Sequence, residues 1–210
     1  MKELDLLKKD WQKSDNSFVQ VSENDIYNMI HKKSSSIVKR ILIFSILEVL
    51  LSTFLNVFSN IDTYLKEINH TELILYFDIF NYVNYAIIIV FIYLFYKNYV
   101  LISTTTSTKK LMQDILKTRR TVHYYVWYNL GIILVSCLIA FTIAFTFDPT
   151  METIKEKIAS NNIALLITIG LLLLICLLFI GLFWLFYRLV YGILLRRLYA
   201  NYKELKKIDL

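Results

Sequence analysis

The chain has 210 residues, 57% of them hydrophobic, with a mean hydropathy of +0.52. Soluble domains sit near roughly 45–50% apolar even with glycine counted, and here the apolar residues are bunched into four long stretches, which argues against a soluble globular fold. The net charge of +6 needs no nucleic acid, because basic residues lying against anionic lipid account for it and no nucleic-acid-binding motif is present.

Residues 1–36 form a polar, charged arm. It has no apolar core followed by a small-residue cleavage site, so the first crossing is expected to act as its own insertion signal. "LDLLKKDWQK" places Leu4, Leu7 and Trp11 on one helical face. "SDNSFVQ" follows as a loop. "VSENDIYNMIHKK" then starts a second helix. Ser22 is its cap, Asp25 sits three residues on as a capping-box variant, and Val21 and Ile26 are placed for a hydrophobic staple. Ile26, Ile30, Ile37 and Ile41 line one side of this helix and lead into the first apolar stretch.

A bilayer core of roughly 30 Å takes about 20 helical residues to cross. Residues 37–60, 73–96, 124–147 and 163–187 are each long enough. Their apolar runs are continuous, not alternating, which favours helices over barrel strands. The expected fold is therefore all-α and polytopic, with four transmembrane helices. The loop 61–72 is short and has room for one helical turn. The loop 148–162 starts at "DPT", and its Met151, Ile154 and Ile158 predict a short amphipathic helix on the membrane surface.

The segment 97–123 contains neither glycine nor proline, so it lacks the strongest loop punctuation. Its one break is "STTTST", residues 103–108, rich in side chains that favour turns and caps. The second span is expected to continue to Ile102 and a new helix to start at Lys109, running unbroken into the third span. Leu111, Ile115, Thr118 and Val122 share one face of that helix. In the tail 188–210, Leu194, Leu198, Tyr202 and Leu205 follow a similar period. The inner ends of the helices thus predict a smaller helical cluster beneath the bilayer, joined by the arm.

Lys and Arg number 20 in segments 1–40, 97–123 and 188–210, and 3 in the other two loops. Cytoplasmic segments collect basic residues, so both chain ends are expected in the cytoplasm.

Ionisable groups inside a span are costly and face the bundle interior. Glu48 lies ~12 Å above Arg40, and Asp78 only ~8 Å below Leu73 at the opposite boundary, so the two sit at different depths. Asn81, Asn84 and, on the third span, Asn129 add amides within the membrane. A hydrogen-bonded, uncharged Glu48 is expected, with Tyr93, Asn84, Asn129 and Ser136 at its level. Such polar groups act either as interhelical glue or as a proton or cation site. Gly170, Gly181 and Gly192 recur every 11 residues on the fourth helix. This spacing predicts close helix packing or, alternatively, a self-association face. Cys137 and Cys176 read as small packing residues, without disulfide or metal spacing. The three histidines, His31, His70 and His123, lie at both membrane surfaces and cannot gather round one metal. No cofactor is indicated, and no acid, base and nucleophile converge as catalytic residues.

At "LLKKDWQK", "IYNMIHKKSSSIVKRI" and "KKLMQDILKTRRTVHYYVWYNL" the chain resembles a group of small four-helix inner-membrane proteins of flavobacteria and their relatives. The likeness covers most of the length and implies a location in the bacterial inner membrane. Members of that group often carry a label as carotene-cleaving monooxygenases. The residues argue against that label. Carotenoid-cleavage oxygenases are β-propellers whose iron is held by four histidines, and this chain has three, scattered over a helical membrane scaffold.

Two functions follow as expectations. The first is a non-catalytic adaptor or regulator that lives in the lipid bilayer and binds a protein partner through its cytoplasmic arm and helical extensions, with Leu4, Leu7, Trp11, Ile26 and Ile30 as candidate apolar contacts. It is open to homo-oligomerisation. The second is a small proton- or ion-coupled carrier or channel subunit using Glu48 and Asp78.

Overall fold

The computed structural model describes residues 22–59 and 61–208, so Leu4, Leu7 and Trp11 lie outside the described residues. Ser22 opens the first helix, α1 (Glu23–Phe58), with the reciprocal capping box that its spacing from Asp25 predicts. Asp25 N–H donates to the Ser22 hydroxyl at 3.2 Å. α1 then runs 36 residues without a break. A short α2 (Ile61–Glu67) follows, then α3 (Glu72–Thr104) and α4 (Thr108–Phe147). Only residues 105–107 separate these last two, where the Ser/Thr run interrupts the helix. A 3₁₀ turn at Pro149–Met151, α5 (Glu152–Ser160) and a 47-residue α6 (Asn162–Ile208) complete the chain. The described residues contain no strand.

α3, α4, α6 and the run Glu23–Glu67, which contains α1 and α2, are long and apolar enough to cross a membrane. The protein is therefore an all-α, multi-pass membrane protein. α1 packs on α3, α3 on α4, α4 on α6 and α6 back on α1, while α1 also touches α4 across the ring.

The packing is uneven along the bundle axis. At the end where α1 begins and α6 finishes, here called the terminal end, a continuous core is buried. Ile30, Val38 and Ile41 of α1 meet Ile102 of α3, Leu111, Ile115 and Val122 of α4, and Leu198 and Leu205 of α6. Thr118, on the same α4 face, is buried with them. Polar pins hold this cluster together. The Tyr27 hydroxyl donates to the Thr105 carbonyl at 2.9 Å, and the His31 ring nitrogen Nε2 lies 2.6 Å from the Ile102 carbonyl. Burial raises the Tyr27 hydroxyl above its ordinary pKa, so it stays a donor at neutral pH.

Beyond this core the surface is apolar. Leu51, Phe54 and Leu55 of α1 and Leu166, Leu174 and Leu178 of α6 are all exposed, as side chains facing lipid would be. Exposed Tyr93, Tyr96, Tyr124, Trp127 and Trp184 mark the lower edge of this band. Exposed Lys39, Arg40, Lys97, Arg120, Arg196 and Arg197 lie beneath it. At the opposite, loop end, α2 is tied to α4: Leu65 is buried and the Tyr64 hydroxyl donates to Asp148 at 2.9 Å.

Candidate functional site

α1 carries Glu48 to the point where the tight terminal cluster gives way to the lipid-facing half of the bundle. Three tyrosine hydroxyls converge on its carboxylate. Tyr125 of α4 donates to Oε2 at 2.9 Å, Tyr191 of α6 donates to the same oxygen at 3.2 Å, and Tyr187 of α6 donates to Oε1. Tyr187 and Tyr191 stand one turn apart on α6, so both reach the same carboxylate. Tyr125 and Tyr191 are fully buried and meet edge to face, with ring centroids 5.8 Å apart. Phe91 and Phe95 of α3 press on the Tyr125 ring from the other side at 5.4 and 5.3 Å. The aromatic rings thus fix the hydroxyls, and the hydroxyls fix the carboxylate. One acid on α1 links three of the four long helices.

The Glu48 partners correct the expectation. Tyr93 is exposed on the lipid side, and neither Ser136, Asn84 nor Asn129 bonds to Glu48 in the structure. Arg40 does not mark the membrane boundary. Ile37, Val38 and Ile41 instead belong to the terminal core, so the apolar run of α1 starts inside a protein cluster and not in lipid. Glu48 consequently stands at the level of the exposed aromatic edge. From Glu48 to Phe58, α1 rises only ~15 Å, and the chain reaches the level of Asp148 through α2.

Two of the predicted amides stand beside this cluster. Asn129, one turn from Tyr125, donates Nδ2–H to the Tyr125 carbonyl at 2.9 Å, and Asn84 accepts the Tyr128 hydroxyl at 2.9 Å. Both line a cleft of about 490 Å³ together with Glu48, Leu51, Leu55, Leu182, Phe183 and Phe186. The volume falls within the usual ligand-pocket range, roughly 300–1,000 Å³. Asp78 and Asn81 stand apart on α3, Asp78 exposed, against the expectation of an inward-facing acid, and Asn81 half-buried, and among the described residues no hydrogen bond joins either to the Glu48 cluster. Ile30 is buried in the chain's own core and Ile26 packs against it, so neither is free for a partner in this conformation.

The glycine spacing is also corrected. A Cβ added at Gly131, Gly170 or Gly181 would meet nothing within 4 Å, and one at Gly192 would meet only the Arg188 side chain at 3.7 Å. Among the described residues no helix packs closely on that stripe. The cysteines, by contrast, form a pair, with Cys137 Sγ 3.1 Å from Cys176 Sγ.

At the loop end, two of the acids outside the spans are held by hydrogen bonds. Hydrogen bonds from Thr150 and from Tyr64 hold Asp148 below the ordinary aspartate pKa. A bond to His70 at 2.8 Å lowers Glu72. Among the described residues no group of three or more His, Cys, Asp or Glu is placed to hold a metal ion.

Residues 24–210 match a domain of unknown function, DUF8845, and the chain belongs to that family. Neither a curated protein nor a solved structure matches the chain.

Proposed function

We propose that this DUF8845 protein is a non-catalytic adaptor or regulator of a bacterial inner membrane. Its terminal end faces the cytoplasm and presents the arm 1–36 to a protein partner. One observation carries the reading. The best-packed part of the molecule lies beyond the apolar band, where all four long helices continue into a common core. Membrane insertion alone requires no such projection. A packed platform of this kind serves to hold a surface in place outside the bilayer. The Lys and Arg distribution, 20 against 3, supports a cytoplasmic placement of that end.

The Glu48 cluster fits this reading as a structural tie. It joins α1, whose start leads from the arm, to α4 and α6.

The experiment is crosslinking in native membranes, comparing the full chain with one lacking residues 1–20. The cut leaves the capping box and all of α1 in place. A protein crosslinked to the full chain and lost from the shortened one supports the adaptor role. The same protein captured equally by both chains removes the arm from it.

A second reading, a small proton- or ion-coupled carrier, rests on Glu48 and Asp78. The lack of any shared hydrogen bond between them gives it less support. Unchanged proton flux in proteoliposomes of a folded Glu48→Gln protein would eliminate it.

A further inference from the structure

The cleft beside Glu48 has a polar floor and apolar walls, and part of the floor's bonding capacity is unused. Asn129 spends its Nδ2 on the Tyr125 carbonyl, and Asn84 spends its Oδ1 on the Tyr128 hydroxyl. No described residue pairs with Asn129 Oδ1 or with Asn84 Nδ2, yet among the described residues no buried side-chain nitrogen or oxygen lacks a partner. Both atoms are therefore accessible, on residues that line the cleft. Glu48 Oε1 accepts one hydroxyl, and a carboxylate oxygen accepts two. The floor thus offers amide N–H donors beside the free acceptor capacity of Asn129 Oδ1 and Glu48 Oε1, in surroundings where unpaired polar groups are costly.

This pattern selects the ligand's polar end. A hydroxyl donates and accepts at once. An ionised phosphate or carboxylate brings only acceptor oxygens and would leave the Asn129 Oδ1 acceptor unmet, whereas a hydroxyl meets it with its proton. The walls select the rest. Leu51 and Leu55 stand one and two turns beyond Glu48 on α1, and Leu182 and Phe186 face the cleft from α6. All four belong to the lipid-facing band. A molecule with its head at Glu48 would lie with its chain running toward the bilayer centre, as a lipid of that leaflet does.

We propose that this cleft binds a long-chain alcohol, a membrane-dissolved amphiphile with an uncharged hydroxyl head, which enters sideways from the bilayer. The proposal is independent of any protein partner of the arm.

The test uses the full chain in phosphatidylcholine nanodiscs. The probe is a hexadecanol carrying a diazirine at mid-chain and a terminal alkyne. After irradiation, peptide mass spectrometry is expected to place the label on Leu51, Leu55, Leu182 and Phe183. Oleyl alcohol should compete at least about tenfold better than methyl oleate, which lacks the donor. Leu182→Trp, which fills the mouth, should reduce labelling to a similar extent while the helical circular dichroism is kept. Even labelling of outward-facing leucines such as Leu166 and Leu174 would overturn the proposal, as would equal competition by the ester or undiminished labelling of folded Leu182→Trp. If that variant does not fold, the competition on the native chain decides alone.

Discussion

The Asn201 side chain of α6 donates to the Ser34 hydroxyl of α1 at 3.0 Å, and both residues are buried although 167 positions separate them. With the Glu48 cluster above it, this bond sets the antiparallel register of α1 against α6. Removing one partner leaves a buried polar group without a bond, which costs about 1–3 kcal/mol, while replacing both is nearly neutral. Asn201→Leu alone should therefore lower stability by about 1–3 kcal/mol. The double variant Ser34→Ala/Asn201→Leu should recover part of that loss. Denaturation in detergent micelles measures both, and strict additivity would mean that the bond sets nothing.

Tyr187 and Tyr191 bind Glu48 from α6, and Tyr125 binds it from α4. Side-chain hydrogen bonds within membrane bundles contribute about 0.6 kcal/mol on average and up to about 1.7. Tyr187→Phe and Tyr191→Phe should each cost within that range. In a Glu48→Leu background the same changes should cost far less, because their acceptor is gone. Tyr128→Phe, whose hydroxyl serves Asn84 instead, is the control that should cost the same in both backgrounds.

The helices were legible because their signals are local. Capping at Ser22, the Ser/Thr interruption and the face Leu111–Ile115–Thr118–Val122 depend on neighbours within a few residues, and each stands in the structure. Ile37, Val38 and Ile41 were not legible. An isoleucine or valine facing protein and one facing lipid look alike in sequence, since both environments are apolar. That ambiguity displaced the depth of Glu48 and hid its tyrosine partners. In sequence, "HYYVWYNL" and "FWLFY" look like interface aromatics, and Tyr124, Trp127 and Trp184 are exposed as such residues are. The neighbouring Tyr125 and Tyr187 turn inward. A helical wheel could have flagged them: Val122, Tyr125 and Asn129 continue the buried face of α4.

Asp148 closes the loop end by accepting from Tyr64 at 2.9 Å and from Thr150 N–H at 2.9 Å. Its folded-state pKa is lowered, so its contribution is complete above the ordinary aspartate value of about 3.9. It is lost as pH falls through the lowered folded value. A carbon-13 NMR titration of the Asp148 carboxyl should give a midpoint below about 3.9. The Tyr64 hydroxyl, raised by burial and by Asp148, should return toward its ordinary value in Asp148→Asn. A midpoint at or above the free value would show that the hydrogen bonds are absent in solution.

Gly170 and Gly181 sit in open surroundings on the longest helix. Glycine weakens a helix interior by roughly 0.5–1 kcal/mol relative to alanine. With no neighbour to collide with, Gly170→Ala and Gly181→Ala should be neutral or stabilising by up to about that amount. Thermal melting in detergent reports this. A loss of stability that depends on protein concentration would instead identify the stripe as a contact between copies of the chain.

Cys137 and Cys176 bring their sulfurs to 3.1 Å from opposite helices of the α4–α6 pair. A disulfide needs about 2.0 Å, so only a small approach separates two thiols from a bond. Aerobic copper phenanthroline, which takes up the two electrons while two protons leave, should therefore join α4 to α6 rapidly. With a protease site inserted at Asn161, the cleaved protein should run as one band on a non-reducing gel after oxidation and as two bands once reduced. Cys137→Ser should run as two bands under both conditions. A native chain that parts without reductant would place the two helices in a different register from the one described.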